Sequence, residues 1–255
     1  MKAEALHSFL EEKAQQYNNS AFIDSDPVSI PHHFSTPGDI EISAFLTATI
    51  SWGQRVSILK NAGSLMDLMD NSPSQFIKSF EKSDLKPFKK FKHRTFNGED
   101  CIFFLESLRN IYKTHGSLEA AFQFAKNDED CVKKGIDTAR NIFFSIPHQH
   151  RHTKHFSDPG KGSAAKRINM FLRWMVRKDA GGVDLGIWKK IPASALKCPL
   201  DVHSGRVARK LGLLKRRQDD WLAVEELTAA LKEFDPKDPV KYDYALFGLG
   251  VFEKF

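Results

Sequence analysis

At 255 residues, 41% hydrophobic and 27% charged, the chain has ordinary globular composition and enough apolar material for one large domain or two intimate lobes. No apolar run approaches the ~18–20 residues of a membrane span, the opening MKAEALHSFLEEKAQQY lacks the apolar core of a signal peptide, and Cys101, Cys131 and Cys198 form no C-x-x-C pair, which excludes a zinc ribbon or iron–sulfur cluster encoded by spacing. The net charge of +6 is uneven: residues 148–217 hold 17 Lys and Arg against four acids, a local +13 that leaves the remainder at −7, and such asymmetry points to a polyanionic partner, most often nucleic acid.

The apolar spacing predicts helices nearly throughout, an all-α chain. KAEALHSFLEEKAQQYN (2–18) combines helical spacing with good helix formers. DIEISAFLTATISW (39–52) reads as a buried helix with Asp39 as N-cap, and QRVSILKNAGSLMDLMD (54–70) continues as another. SPSQFIKSF (72–80) is a short helix capped by Ser72, and GEDCIFFLESLRNIYKTHG (98–116) is amphipathic and ends at Gly116. SLEAAFQFAKN (117–127) and DEDCVKKGIDTARNIFFSI (128–146) follow, then a His-rich loop, PHQHRHTKHFSDPGKG (147–162). SAAKRINMFLRWMVRKD (163–179) is a basic amphipathic helix with Ile168, Phe171, Leu172, Met175 and Val176 on one face and Lys166, Arg173 and Arg177 on another. SGRVARKLGL, WLAVEELTAALKEF and KYDYALFGLGVF complete the helices, and no strand pair, repeat or low-complexity linker stands out.

Three features carry candidate chemistry. SDPGKGSAAKR (157–167) is a tight turn feeding a helix N-terminus, where backbone N–H groups and the helix dipole favour an anion; an ordinary capped turn with Ser163 as N-cap fits the same residues. In PLDVHSGRVARKLGLL, Asp201 stands just before a helix, placed to cap it or to turn a carboxylate into a cleft, and the two roles are compatible. His148, His150, His152 and His155 crowd one loop and His32–His33 form a pair, which opens metal binding, although carboxylates are scarce there and no helical H-E-x-x-H occurs. The 21 Phe sit mostly at helical spacing and read as core; Trp52, Trp174 and Trp188 adjoin the motifs and are candidates for stacking a base, with Trp174 the better fit to core packing.

Taken in order, these segments resemble the helix-hairpin-helix DNA glycosylases, the endonuclease III superfamily. PGKGS (159–163) resembles the hairpin, LDVHSGRVARKLGL (200–213) the segment carrying that family's essential aspartate, and DIEISAFLTATISWGQR (39–55) its early helix. The whole chain also resembles an uncharacterised bacterial family with the string GSAAKR…FLRWMVR…PLDVH…FGLG.

The resemblance implies a two-lobed helical fold with a helix-hairpin-helix motif: a helical barrel lobe over 36–180, ending in the hairpin-like turn and basic helix, and a second lobe from 1–35 plus 181–255 carrying the Asp loop. It implies double-stranded DNA as partner, an extruded base as the target of N-glycosyl bond cleavage, no cofactor, no metal, no membrane, and a cytoplasmic location, on the nucleoid if DNA is bound. Asp201 becomes the catalytic carboxylate. The position where lyase-active members carry their lysine is Ala164 here; the nearest alternative is Lys166, 35 residues before Asp201. Gly160, Lys161, Gly162, Ser163, Arg167, Arg206 and Gln54 are the expected DNA contacts, and His203 and Trp52 the residues of the base pocket or its orientation. Two other readings stand beside it: a non-catalytic nucleic-acid-binding module on the same fold, and a metal-dependent nuclease using the His148–His155 loop.

Overall fold

The computed structural model describes residues 2–125, 128 and 130–255. Lys126 and Asn127, within the predicted helix 117–127, and Glu129, within the predicted helix 128–146, lie outside the described residues. The fold is mostly helical, as the apolar spacing predicts. In chain order the helices are α1 (Ala3–Tyr17), α2 (Ser20–Ile23), α3 (Ser29–His32), α4 (Pro37–Thr49), α5 (Arg55–Asp67), α6 (Pro73–Ser79), α7 (Gly98–His115), α8 (Leu118–Phe122), α9 (Cys131–Phe143), α10 (Lys166–Val176), α11 (Val202–Lys210), α12 (Trp221–Lys232) and α13 (Tyr242–Val251). One small antiparallel hairpin, β1 (Lys92–His93) with β2 (Phe96–Asn97), escaped the sequence reading. Two residues per strand are too few to show a period of two. Among the described residues no helix is long and apolar enough to cross a membrane.

Local chemistry explains where several helices begin and end. Asp39 is not the N-cap of α4: Thr36 is, accepting the Asp39 N–H, with Pro37 at the first helical position, where its missing N–H costs nothing. Asp39 instead reaches across to accept the Ser74 N–H at 2.8 Å, and Ser72, at the cap position of α6, makes no side-chain cap. α7 is closed by a reciprocal box between Asn97 and Asp100 and stopped by Gly116 in the left-handed region (φ 81). α8 ends five residues before the predicted boundary, because Gln123 turns left-handed (φ 46).

The chain divides into two compact units. The first joins Met1–Asp24, Lys126–Lys133 and Ser157–Phe255; the second joins Ser25–Ala125 and Lys134–Phe156. The division therefore falls at 156–157 and not at 180–181, and the PGKG turn and α10 group with the C-terminal helices. The reason lies in charge: Arg173 and Arg177 of α10 find their carboxylates at Asp184, Asp238 and Asp243. Within the first unit α13 packs against α1 and α11. Its core draws on Leu10, Phe171, Leu172, Met175, Val207, Leu227, Leu231 and Leu246, all within 2% of full burial. The second unit is centred on a cluster of aromatics, Phe45, Phe104, Phe143 and Phe156, mostly tilted or edge-to-face, whose ring centroids lie 4.7–6.2 Å apart.

Candidate functional site

Pro199 and Leu200 are buried and deliver Asp201 to the start of α11 in an extended conformation. There its Oδ1 accepts the backbone N–H groups of His203 (2.9 Å) and Ser204 (3.0 Å), while the Ser204 hydroxyl accepts the Asp201 N–H at 2.9 Å. This is a capping box built on Asp and Ser in place of the usual Ser and Glu. The other carboxylate oxygen, Oδ2, faces Lys166 Nζ at 3.8 Å. Both side chains keep a little over a quarter of their surface in solvent, 27% for Asp201 and 29% for Lys166. Lys166 is the first residue of α10, and its stem lies along Met170. Burial by itself would raise the Asp201 pKa, but the Lys166 ammonium and the two capping N–H groups outweigh it and hold the carboxyl below its ordinary value. The result is an ionised carboxylate fixed by one oxygen, with its second oxygen beside an amine, in a side chain that keeps part of its surface in solvent.

Behind this pair sits a buried ionic network. Arg173 Nε donates to Asp184 Oδ1 at 3.2 Å and Arg173 Nη1 pairs with Asp243. Arg177 pairs with Asp184 (3.0 Å), Asp238 (2.9 Å) and Asp179. Both guanidiniums lie over the Tyr244 ring, 4.2 and 5.5 Å from its centroid. Burial pushes the Asp243 carboxyl up to about 6 although Arg173 and Lys166 pull it down. The face of α10 opposite its apolar residues is buried as well: Arg173 and Arg177 are 4% and 3% exposed. Ile168, Phe171, Leu172, Met175 and Val176 are buried as predicted. The basic helix is thus enclosed nearly all round, and its arginines hold the first unit together.

The PGKG turn also differs from the expected cradle. Asp158 accepts the Lys161 N–H with both its carbonyl and its Oδ1, its carbonyl also takes the Ser163 N–H, and the Pro159 carbonyl takes that of Gly162 (φ 86). Three backbone donors of the turn therefore close the turn itself. Ser163 does not cap α10: it forms a bridge with Asp220, and Trp221 N–H donates to the Gly162 carbonyl. The cap position belongs to Ala165, left-handed at φ 47, with no side-chain cap, so α10 starts at Lys166 and not at Ser163. The segment before the turn, His150–His155, is a 3₁₀ helix. Gly160 and Lys161 are exposed, Ala164 is half-buried and its carbonyl accepts the Asn169 amide, and half-buried Arg167 is pushed down to about 10 by its surroundings.

On α11, His203 is exposed and contributes its backbone N–H to Asp201, so its ring is not what orients the Asp loop. Arg206 Nη2 donates to the Gly250 carbonyl at 3.1 Å. Arg209 pairs with Asp219 and Arg216 with Asp220. Within the first unit, Asp219, Asp220, Asp238 and Asp243 offset four of the local +13.

Trp52 and Gln54 belong to the second unit. Trp52 is half-buried, edge-on to His93 (centroids 5.0 Å apart) and stacked on His155 (6.1 Å). His93 Nε2 lies 3.0 Å from the Trp52 carbonyl and Nδ1 2.8 Å from the Asn61 amide, an arrangement suited to a neutral ring with its proton on Nε2. Gln54 is exposed at the cap position of α5 without capping it. Trp174 is fully buried, as core packing predicts, and Trp188 is 2% exposed against Phe171, which removes both as stacking platforms. The histidine loop brings two rings together and not four: His152 Nδ1 (2.8 Å) and His155 Nε2 (3.3 Å) both face the buried Asp100, while His148 and His150 are exposed. Asp100 is also the acid of the α7 capping box and pairs with Arg151. Among the described residues no group of three or more His, Cys, Asp and Glu is placed to hold a metal ion.

Asp184, Asp243 and Asp100 are the residues that sequence reasoning missed. An acid inside the apolar run KYDYALFGLG was the one available signal for Asp243, since a carboxylate there needs a buried partner.

The fold and the Lys166–Asp201 pair define a mostly helical protein with a solvent-reaching carboxylate–amine pair at two helix N-termini. The chain belongs to the family described as protein of unknown function (DUF2400), whose model matches residues 26–252. No curated protein and no solved structure matches it.

Proposed function

We propose that this protein binds double-stranded DNA and cleaves an N-glycosyl bond of an extruded nucleotide, with Asp201 as the catalytic carboxylate and Lys166 beside it. The observation that carries the reading is the approach of Lys166 Nζ to Asp201 Oδ2 at 3.8 Å, with both groups reaching solvent. Thirty-five residues separate them in sequence, and helix capping alone does not require an amine there. The chemistry suits the pair. As the glycosidic bond breaks, the base leaves with its electron pair and the sugar becomes cationic; a fixed carboxylate steadies that charge. The Lys166 amine, once its proton has passed to solvent, can attack the sugar carbon and hold the product covalently. The helix-hairpin-helix resemblance supplies the DNA side of the proposal, with the exposed Lys161 side chain and the start of α10 as phosphate contacts.

A panel of duplex oligonucleotides, each bearing one damaged or mismatched base, tests the reading. The expected result is release of at least one base, and a borohydride-trapped adduct that disappears in Lys166→Ala. An adduct that survives Lys166→Ala removes the lysine from its role.

One observation favours a second reading, a non-catalytic binding module. Asp201 is satisfied without substrate, one oxygen by its own helix and the other by Lys166. Duplex binding with no base released across the panel would select it.

A further inference from the structure

The second unit carries a run of unpaired positive charge outside the segment that the sequence marks as basic. Residues 86–94, KPFKKFKHR, hold Lys86, Lys89, Lys90, Lys92 and Arg94 and no acid. All five side chains are exposed. Among the described residues none of the five is drawn into an ion pair, hydrogen bond or ring contact. The cations of 148–217 are mixed: Arg151, Lys166, Arg173, Arg177, Arg209 and Arg216 meet carboxylates, whereas Lys154, Lys178, Lys215 and Arg217 are exposed and, among the described residues, make no ion pair.

The strip is a built ledge. Phe88 and Phe91 alternate with the lysines and are buried, as are Leu85 and Phe96, so the cations are turned outward together. The 3₁₀ helix Pro87–Lys90 packs on α7, and Gly98 at the start of α7 is the reason it fits: a Cβ there would collide with the Lys89 carbonyl. Lys92 leads into the hairpin whose tip is Arg94, a non-glycine residue held left-handed at φ 53. The Arg94 side chain lies over Gly53 (φ 98), where an added Cβ would be 3.0 Å from Cδ and Nη1. Gln54 follows directly. Of the nearby acids, Glu99 pairs with Arg151 and Asp100 is buried, while Asp84 accepts the Glu81 N–H and Glu81 and Asp84 stay exposed just before the strip.

We propose that the Lys86–Arg94 ledge is a nucleic-acid contact surface that binds the phosphate backbone. It is independent of the Asp201 site and stands whether or not that site is catalytic. Unpaired, acid-free cations on a rigid ledge are what phosphate neutralisation and counterion release require. A lipid surface fits less well, because the exposed large apolar side chains are Val56, Val202, Leu222 and Phe252, and the ledge has none to insert.

The test is equilibrium binding of the full chain to a fluorescent duplex of random sequence across a salt series. Lys89→Gln, Lys90→Gln and Lys92→Gln combined are compared with Lys2→Gln, Lys113→Gln and Lys237→Gln, an equal loss of exposed charge elsewhere. The ledge variant is expected to bind at least ~10-fold more weakly at moderate salt and to lose about 2–3 from the log–log salt slope, near 0.9 per phosphate contact, while the control variant stays close to wild type. Equal weakening in both variants overturns the proposal, because it reports net charge alone. So does a wild-type chain that fails to bind the duplex, including one that binds phosphatidylserine vesicles instead. Equal weakening in both variants leaves the Asp201 proposal to its own test, since base release plays no part in the readout, whereas a wild-type chain that does not bind the duplex contradicts both proposals.

Discussion

Lys166 and Asp201 meet at 3.8 Å although each has its own structural task, Lys166 opening α10 and Asp201 capping α11. The cap fixes Oδ1 and leaves Oδ2 to the amine. Structure and chemistry can therefore be separated at this position by substitution. Asn caps a helix about as well as Asp, and a partly exposed ion pair contributes at most ~1 kcal/mol. Asp201→Asn is expected to melt within a few degrees of wild type, whereas Asp201→Ala loses a further ~1 kcal/mol with the cap. Thermal unfolding of the two variants checks this; an Asn variant as unstable as the Ala variant would show that the cap is not what Asp201 supplies.

Arg173 should behave as a stability residue. Its removal leaves Asp243 buried without its cation, while Asp184 keeps only Arg177. Breaking a buried pair from one side costs about 3–5 kcal/mol, so Arg173→Ala is expected to lower the urea midpoint sharply. Lys161→Ala, at an exposed side chain, is expected to leave it unchanged. A small loss in Arg173→Ala, accompanied by weakened DNA binding, would give Arg173 a surface role instead.

The Asp243 carboxyl, pushed up to about 6 by burial, gives the fold an acid-side signature. A carboxyl with a raised folded pKa stabilises the fold when protonated. That contribution is complete below its unfolded value near ~4 and is lost as pH rises through about 6. Asp201, Asp100 and Asp179 are shifted down and act oppositely, adding stability above the unfolded value that is lost at still lower pH. Between pH 4 and 6 the denaturation midpoint of Asp243→Asn is therefore expected to gain less on acidification than that of wild type. Parallel curves for the two would contradict the assignment.

The three cysteines are free and buried, and burial raises each thiol above its ordinary value. A thiol that is neither exposed nor ionised reacts slowly. Ellman's reagent at pH 8 is expected to find almost no fast-reacting thiol in the native chain and three after denaturation. A fast native equivalent would mean that one of the three is reachable.

The helices were legible in the sequence because their apolar residues recur at the helical period, and the face Ile168–Phe171–Leu172–Met175–Val176 was read correctly from that alone. The fate of Arg173 and Arg177 was not. Spacing tells which residues share a face but not what stands opposite, and the carboxylates opposite come from positions 184, 238 and 243. Asp201 was visible from its place before a helix. Its meeting with Lys166 was not, since it depends on how α10 and α11 pack. The ledge at 86–94 was overlooked because charge was summed over long segments, and a +5 strip disappears in a remainder of −7.

The most direct test of the central proposal is single-turnover base release, with wild type and Asp201→Asn compared on whichever duplex substrate the oligonucleotide panel identifies. The account predicts that the Asn variant, folded and binding the duplex with near wild-type affinity, loses release by at least ~10²-fold, in keeping with the removal of one charge-stabilising group. An Asn variant that releases the base at the wild-type rate would contradict it.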